Sequence, residues 1–319
     1  MNTQTLRSNL MLLLTAIIWG LAFVAQRVGA AYVGPFTFNG VRFALGSLSL
    51  VPLILFLNGK PSSRESQDNL SDRGNLRVVV PAGLAAGLVL FAGASLQQVG
   101  LAYAGTTAGK AAFITCLYIV LVPILGILWK QYISPSTWLG AVVALVGLYF
   151  LSVRQGFSFS AGDLLELAGS FFWAGHILLI DHFTNNKVNA LKLACTQYAV
   201  CSVLSLATAL MFEAITLTGL REAAIPILYG GILSVGVAYT LQIFGQKHAQ
   251  PAHAAIILSL ETVFAALGGF IILHESLGAR GIAGCSLMFA GMLMSQFQNP
   301  ISQVRLSKIQ SGHCANNHR

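Results

Sequence analysis

The stretch from Ala254 to Glu275, AAIILSLETVFAALGGFIILHE, is almost continuously apolar, yet a carboxylate, Glu261, stands near its middle. At about 1.5 Å per residue, a helix of this length crosses a bilayer core of about 30 Å. A charged acid at that depth costs about 2.5 to 3.5 kcal/mol on insertion scales. Glu261 is therefore expected to be protonated, paired or in contact with water.

An earlier stretch of the chain repeats this one. The segment AAFITCLYIVL, Ala111–Leu121, aligns with AAIILSLETVF, Ala254–Phe264, at an offset of 143 residues. Three more pairings follow in the same order: Trp19 with Trp173, VRFA at Val41 with TQYA at Thr196, and Gly140 and Gly147 with Gly284 and Gly291. Repetition of this kind indicates two related halves.

The composition is that of a membrane protein. Hydrophobic residues make up 55% of the 319 residues and charged residues 9%, against about 25% charged in a soluble domain. Continuous apolar blocks favour a helical bundle over a barrel, whose strands alternate. About ten blocks are predicted to span the membrane: Asn9–Ala31, Phe36–Leu57, Val78–Leu101, Thr106–Trp129, Ser136–Val153, Leu164–Asp181, Leu191–Phe212, Ala224–Gln246, Ala252–Leu273 and Ala279–Phe297.

The predicted fold is all-α, a polytopic membrane protein of about ten transmembrane helices in two inverted five-helix repeats. Because five is odd, the second repeat enters the membrane from the opposite side, as in many secondary transporters. The first repeat is predicted to cover residues 1–157, with a polar cytoplasmic loop at 58–77. The second covers 158–298, and a polar tail follows at 299–319.

The basic residues are distributed unequally between the two sides. Of the 18 Lys and Arg residues, twelve fall on the side of the two termini and three on the other. The positive-inside rule then predicts that the N- and C-termini are cytoplasmic. The net charge of +8 follows from this bias, so no nucleic-acid partner is predicted.

The polar and aromatic residues inside the spans are candidates for a solute site near the midplane, where repeat-related segments line one path. The candidate substrate-binding residues are Trp19, Gln98, Tyr118, Trp173, His176, Gln242 and Glu261. Glu261 would bind a cationic group or exchange protons. The alternative is a hydrogen bond between helices, which is a common use of polar groups in membranes.

The other candidates also have two interpretations. Trp19 and Trp173 lie at mid-depth, where they would clamp a planar or cationic solute or simply pack between helices. His176 lies one turn after Trp173 and suits proton transfer or a structural hydrogen bond. Gln98 and Gln242 would contact solute or bond between helices.

Two further residues occupy equivalent repeat positions near opposite membrane faces. Lys110 and His253 are predicted to gate the path or bind anionic groups. For Lys110 the alternative is a side chain that extends to the interface. No metal site and no cofactor are predicted.

Two long segments resemble the EamA-type branch of the drug/metabolite transporter superfamily. These are YTLQIFGQKHAQPAHAAIILSLETVFAALGGFIILHESLGARGIAGCSLMFAGMLM, Tyr239–Met294, and QQVGLAYAGTTAGKAAFITCLYIVLVPILGILWK, Gln97–Lys130. The first half departs from the second at Tyr118, which corresponds to Glu261, and at Gln131 and Tyr132, which correspond to His274 and Glu275. Any coupling chemistry would therefore be asymmetric.

The resemblance implies a permease or exporter of small organic metabolites in the cell inner membrane, and the inverted repeats predict that it works by alternating access. Its partners would be a small organic solute, such as an amino acid or an amine, the lipid bilayer and, as a candidate coupling ion, the proton. An intramembrane enzyme or a small-molecule sensor is the alternative. The chain has no G-x-S-x-G elbow, no H-E-x-x-H and no Walker A motif, which argues against hydrolase chemistry and ATP coupling.

Overall fold

The computed structural model describes residues 3–58, 72–103, 108–129, 131–152, 160–186, 188–272 and 278–296. Most of the predicted loop at 58–77 and all of the predicted tail at 299–319 lie outside these ranges. His274 and Glu275 also lie outside them. The fold is therefore described for the membrane-spanning part of the chain.

Ten principal helices run through the described residues. They are α1 (Thr3–Gly29), α2 (Pro35–Asn58), α3 (Asp72–Ala102), α4 (Ala108–Leu128), α5 (Pro135–Ser152), α6 (Ala161–Asn185), α7 (Ala190–Phe212), α8 (Ala224–Gln246), α9 (Pro251–Ile272) and α10 (Ala279–Gln296). A short helix, Leu217–Glu222, precedes α8. We call the two ends of the bundle the Thr3 end and the Gly29 end, after the ends of α1.

The helices match the predicted spans. Eight of the described helices are long and apolar enough to cross a membrane. The fifth and tenth are shorter apolar helices, Pro135–Leu151 and Ala279–Ser295. The all-α, ten-helix fold predicted from the apolar blocks is thus confirmed.

Local sequence signals explain where several helices begin. Ser160 and Asp163 form a reciprocal capping box at the start of α6, which satisfies amide groups that a helix leaves free. Asn189 accepts a hydrogen bond from Lys192 N at the start of α7. Pro251 is the first residue of α9, where its missing N–H is not needed.

The helix packing shows the two-fold relation between the halves. If α1 to α5 are exchanged with α6 to α10, each of the largest contacts maps either onto another contact or onto itself. The packing of α1 on α9 maps onto that of α6 on α4, and the packing of α1 on α8 onto that of α6 on α3. The contacts of α2 with α7, and of α5 with α10, map onto themselves.

The glycines paired in the sequence lie at the contact between α5 and α10. A Cβ atom added at Gly140 would lie 2.6 Å from Gly291 O, and one added at Gly147 would lie 2.6 Å from Gly284 O. The repeat exchanges these two contacts, so they are symmetry mates. Small residues let the two backbones touch, as membrane helix pairs commonly require.

Candidate functional site

A small cavity lies in the middle of the bundle, between helices of both halves. Its volume is about 30 Å³, which is room for only one or two water molecules. The lining residues are Trp19, Ala22, Phe23, Gln26, Arg42, Gln97, Thr115, Tyr118, Trp173, Ile177, Ser234, Tyr239, Gln242 and Glu261. This conformation is closed, since an organic solute would fit only after side chains or helices move.

The acid in the middle of α9 lies at the wall of this cavity. Glu261 is 4% exposed, and its Oε1 accepts a hydrogen bond of 3.0 Å from Tyr118 Oη. Cys116 Sγ donates to the same oxygen at 3.4 Å. Tyr118 and Glu261 are 143 residues apart, which is the repeat offset, so they meet close to the two-fold axis.

The helices that carry these residues are interrupted at equivalent places. A turn at Cys116 and Leu117 breaks α4, and a turn at Ser259 and Leu260 breaks α9. At both turns the backbone hydrogen bonds tighten to an i to i+3 pattern, which is common at functional hinges. Broken helices that cross at the midplane form the solute site in several transporter folds.

An aromatic cluster forms another wall. The ring of Tyr239 lies between the two repeat-related tryptophans, with centroids 4.5 Å from Trp19 and 6.1 Å from Trp173. Trp19 Nε1 donates to Ser234 O at 3.2 Å. Ser234 and Tyr239 belong to a π-helical segment of α8, Tyr229–Tyr239; such segments are frequent at functional sites.

The cavity also holds a buried cation. Arg42 of α2 is 2% exposed, and its guanidinium lies 5.0 Å from the ring centroid of Phe43 and 5.5 Å from that of Phe38. Its Nε has no hydrogen-bond partner. Within the described ranges, Lys110 with Asp163 is the one ion pair, so Arg42 and Glu261 line the same cavity without pairing.

The structure brings five of the seven sequence-predicted binding residues to the cavity: Trp19, Tyr118, Trp173, Gln242 and Glu261. The other two are buried just outside the lining. Gln98 Nε2 donates to Gln26 O at 3.3 Å. His176 Nε2 is 2.9 Å from Gln197 Oε1, and the His176 ring lies edge-on to Tyr239 with centroids 6.2 Å apart.

The two residues predicted to gate the path lie at opposite ends of the bundle. At the Gly29 end, Lys110 Nζ of α4 is 2.5 Å from Asp163 Oδ2 of α6. At the Thr3 end, His253 of α9 contacts Asn9 Oδ1 of α1 at 3.1 Å and Ser295 Oγ at 2.9 Å. Asn9 and Asp163 have the same spacing as Trp19 and Trp173, so the two contacts are repeat-related.

Nine residues that line the cavity were not predicted from the sequence, and six of them are polar: Gln26, Arg42, Gln97, Thr115, Ser234 and Tyr239. Arg42 had a usable signal, because a cation inside a predicted span is as unusual as an acid there. Tyr239 had none, since the chain has many aromatic residues in its spans and only the folded structure places this one between Trp19 and Trp173.

Comparison with known proteins identifies the family. The EamA-like transporter family matches residues 6–153 and again residues 160–297. The chain belongs to the EamA-like transporter family. The two matched ranges correspond to the two five-helix halves, and the resemblance noted in the sequence is thus confirmed.

Relatives of this EamA-like transporter carry transporter names. An "Uncharacterized transporter" of Archaeoglobus fulgidus is 32% identical over 296 residues, which covers 91% of this chain and 86% of the relative. "Uncharacterized transporter YoaV" of Bacillus subtilis is 23% identical and covers 88% of this chain and 94% of the relative. These names support a multi-pass membrane transporter of a small solute and give no support to an enzyme.

A solved structure supports the same fold for this EamA-like chain. It is described as "Crystal structure of protein" and superimposes with a TM-score of 0.73. The match covers 91% of this chain and 96% of that one, at 18% sequence identity. At this identity the likeness concerns the fold alone.

Proposed function

We propose that this EamA-like transporter carries zwitterionic amino acids with aromatic side chains, such as L-phenylalanine, by alternating access. The observation that carries the proposal is that a guanidinium and a carboxyl group, those of Arg42 and Glu261, line one cavity without pairing with each other. Buried charges are costly unless they are paired. A bound amino acid would supply both missing partners.

Each of these two side chains, which we call the two poles of the site, fits one end of an amino acid. The guanidinium of Arg42 is a planar donor that suits a carboxylate. The carboxylate of Glu261 suits an ammonium group, and its two hydrogen-bond donors, Tyr118 and Cys116, are neutral. An amine alone would leave Arg42 without a partner, so a zwitterion satisfies the site better.

The aromatic wall fits the side chain of such a solute. Trp19, Tyr239 and Trp173 form a continuous group of rings between the helices that hold the two charges. Aromatic rings prefer offset or edge-on neighbours with centroids about 4.5 to 7 Å apart. A phenyl ring inserted among them would keep that geometry after the cavity opens.

The contacts at the two ends support alternating access. We call Lys110–Asp163 the Gly29-end latch and His253–Asn9 the Thr3-end latch. Each joins a helix of one half to a helix of the other, and both are closed while the cavity has room for no solute. Opening one latch at a time would expose the cavity to one side.

The orientation and location are also part of the proposal. The excess of Lys and Arg on the side of the termini supports a cytoplasmic Thr3 end by the positive-inside rule. The Gly29 end, with the Lys110–Asp163 latch, would then face the outside of the cell inner membrane.

Three solutes that share a phenylethyl skeleton and differ in their charged groups test the function. The full chain is reconstituted in liposomes, and counterflow is measured with radiolabelled L-phenylalanine, with phenethylamine, which lacks the carboxylate, and with 3-phenylpropanoate, which lacks the ammonium group. We expect saturable counterflow that is fastest for L-phenylalanine, because only this solute pairs with both poles.

Protein-free liposomes are the control for passive leakage. Equal rates for the three solutes would contradict recognition of a zwitterion. Non-saturable equilibration would indicate a pore, and binding without counterflow would indicate a sensor.

A further inference from the structure

Another buried acid, Glu166 of α6, lies outside the central cavity. Glu166 is 0% exposed, and it follows Asp163 by three residues and precedes Trp173 by seven. These spacings place the three residues on one face of the helix. Glu166 is about 10 Å of helix rise from Trp173, toward the Gly29 end.

One oxygen of this carboxylate is linked to the cavity by a hydrogen bond, and the other has no hydrogen-bond partner. Thr115 Oγ1 donates to Glu166 Oε2 at 3.0 Å, and Thr115 lines the cavity. Glu166 Oε1 is buried and has no hydrogen-bond partner. A Cβ atom added at Gly100 of α3 would lie 3.0 Å from this oxygen, so the carboxylate is enclosed by three helices.

The charged groups near Glu166 do not neutralise it. Lys110 of α4 pairs with Asp163, an acid on the same helix as Glu166. Arg27 of α1 donates to Leu101 O at the end of α3, at 2.7 Å. Among the residues that the structure describes, Glu166 has no ion-pair partner.

We propose that Glu166 is an ion-binding site separate from the solute site, and that it takes up the coupling proton of the transport cycle. This inference rests on the function proposed above. A buried carboxylate without a cation is costly, and protonation of Glu166 Oε1 removes the charge. A single hydroxyl partner suits a proton, whereas an alkali ion needs a shell of oxygen ligands in place of its water.

The position of Glu166 explains how a proton would be linked to the solute. The Gly29-end latch lies one turn away along α6, so opening that latch gives water access to the Glu166 carboxylate. Thr115 connects the same carboxylate to the cavity wall, where the solute binds. A zwitterion carries no net charge across the membrane. A proton bound at Glu166 would therefore be the ion whose gradient drives transport of the solute.

The variant Glu166→Gln separates this site from the solute site. In liposomes, counterflow of L-phenylalanine needs no gradient, whereas accumulation under an imposed pH gradient needs the proton. We expect Glu166→Gln to retain counterflow and lose the gradient-driven accumulation. The matched control is Glu222→Gln, which removes an exposed acid and should retain both.

The outcomes separate the two proposals. Accumulation under a pH gradient that persists in Glu166→Gln would overturn the proton site, as would accumulation that depends on a Na⁺ gradient and is lost in this variant. Absence of counterflow in the unmodified chain would instead contradict the proposed function.

A spectroscopic readout tests Glu166 without any solute. Infrared difference spectra of the purified full chain, in acidic and alkaline buffer, report protonated carboxyl groups. We expect the spectrum of Glu166→Gln to lack one such band, which Glu222→Gln should retain. In Glu166→Asp the band should be present at a shifted frequency. Identical bands in the unmodified chain and in Glu166→Gln would overturn the proposal even if the variant were inactive in liposomes.

Discussion

Replacing Arg42 with Met is expected to remove the preference for L-phenylalanine over phenethylamine. The variant keeps the length of the apolar stem over Phe38 and Phe43 and loses the group that binds the carboxylate. Loss of one partner of a buried charge pair costs about 2 to 5 kcal/mol, so L-phenylalanine counterflow should fall roughly thirtyfold or more. Phenethylamine has no carboxylate, and its rate should change little.

Counterflow of both solutes in the same liposome preparation checks this result. The matched control is Arg221→Met, which removes an exposed cation from the short helix before α8 and should leave both rates unchanged. If Arg42→Met slowed L-phenylalanine and phenethylamine equally, Arg42 would have a structural role and the zwitterion proposal would be wrong.

Replacing Glu261 with Gln is expected to remove the preference for L-phenylalanine over 3-phenylpropanoate. Glutamine can still accept the hydrogen bond that Tyr118 donates, so the contact between α4 and α9 is retained while the charge is lost. The ammonium group of L-phenylalanine then has no anionic partner. We expect its advantage over 3-phenylpropanoate to disappear, with a loss of similar size, about 2 to 5 kcal/mol.

The control for this variant is Glu222→Gln, and counterflow of L-phenylalanine and 3-phenylpropanoate is the measurement. Unchanged rates for both solutes in a well-expressed Glu261→Gln protein would favour the alternative, in which this side chain only joins two helices by a hydrogen bond. The two variants together distinguish binding residues from packing residues. If the two side chains bind the solute, Arg42→Met removes the preference over phenethylamine and Glu261→Gln removes the preference over 3-phenylpropanoate.

The apolar blocks and the internal repeat predicted the fold well. A bilayer requires each span to satisfy its own backbone hydrogen bonds and to be apolar over a fixed length. Glu261 and Tyr118 could be selected because the repeat offset aligned them, and they meet close to the two-fold axis. The breaks in α4 and α9 could not be predicted, since no Gly or Pro stands at Cys116, Leu117, Ser259 or Leu260.

Other parts of the site depend on packing that the sequence does not reveal. Glu166 is only the third residue of its predicted span, Leu164–Asp181, so its depth there did not single it out and its complete burial is visible only in the structure. Arg42 is the exception, because a cation inside a predicted span is as unusual as an acid. The position of Tyr239 between Trp19 and Trp173 results from the packing of α8 against α1. Asp163, the partner of Lys110, is 53 positions away in the sequence, and the contact forms only when α4 and α6 meet.

The central claim is that one cavity opens alternately at its two ends, and accessibility of a single cysteine tests it most directly. The five native cysteines are replaced with alanine, and Ala22→Cys, at the cavity wall, is labelled with a membrane-impermeant thiol reagent in right-side-out and inside-out vesicles. The measurement compares this chain with versions that also carry Asp163→Asn or Asn9→Ala, each of which weakens one latch.

We expect Asp163→Asn to increase labelling from the Gly29 end and to decrease it from the Thr3 end, with the opposite result for Asn9→Ala. The reciprocal change follows because opening one end of a carrier requires the other to be closed. Labelling that increases from one end while the other end is unaffected would contradict alternating access and would indicate two independent openings.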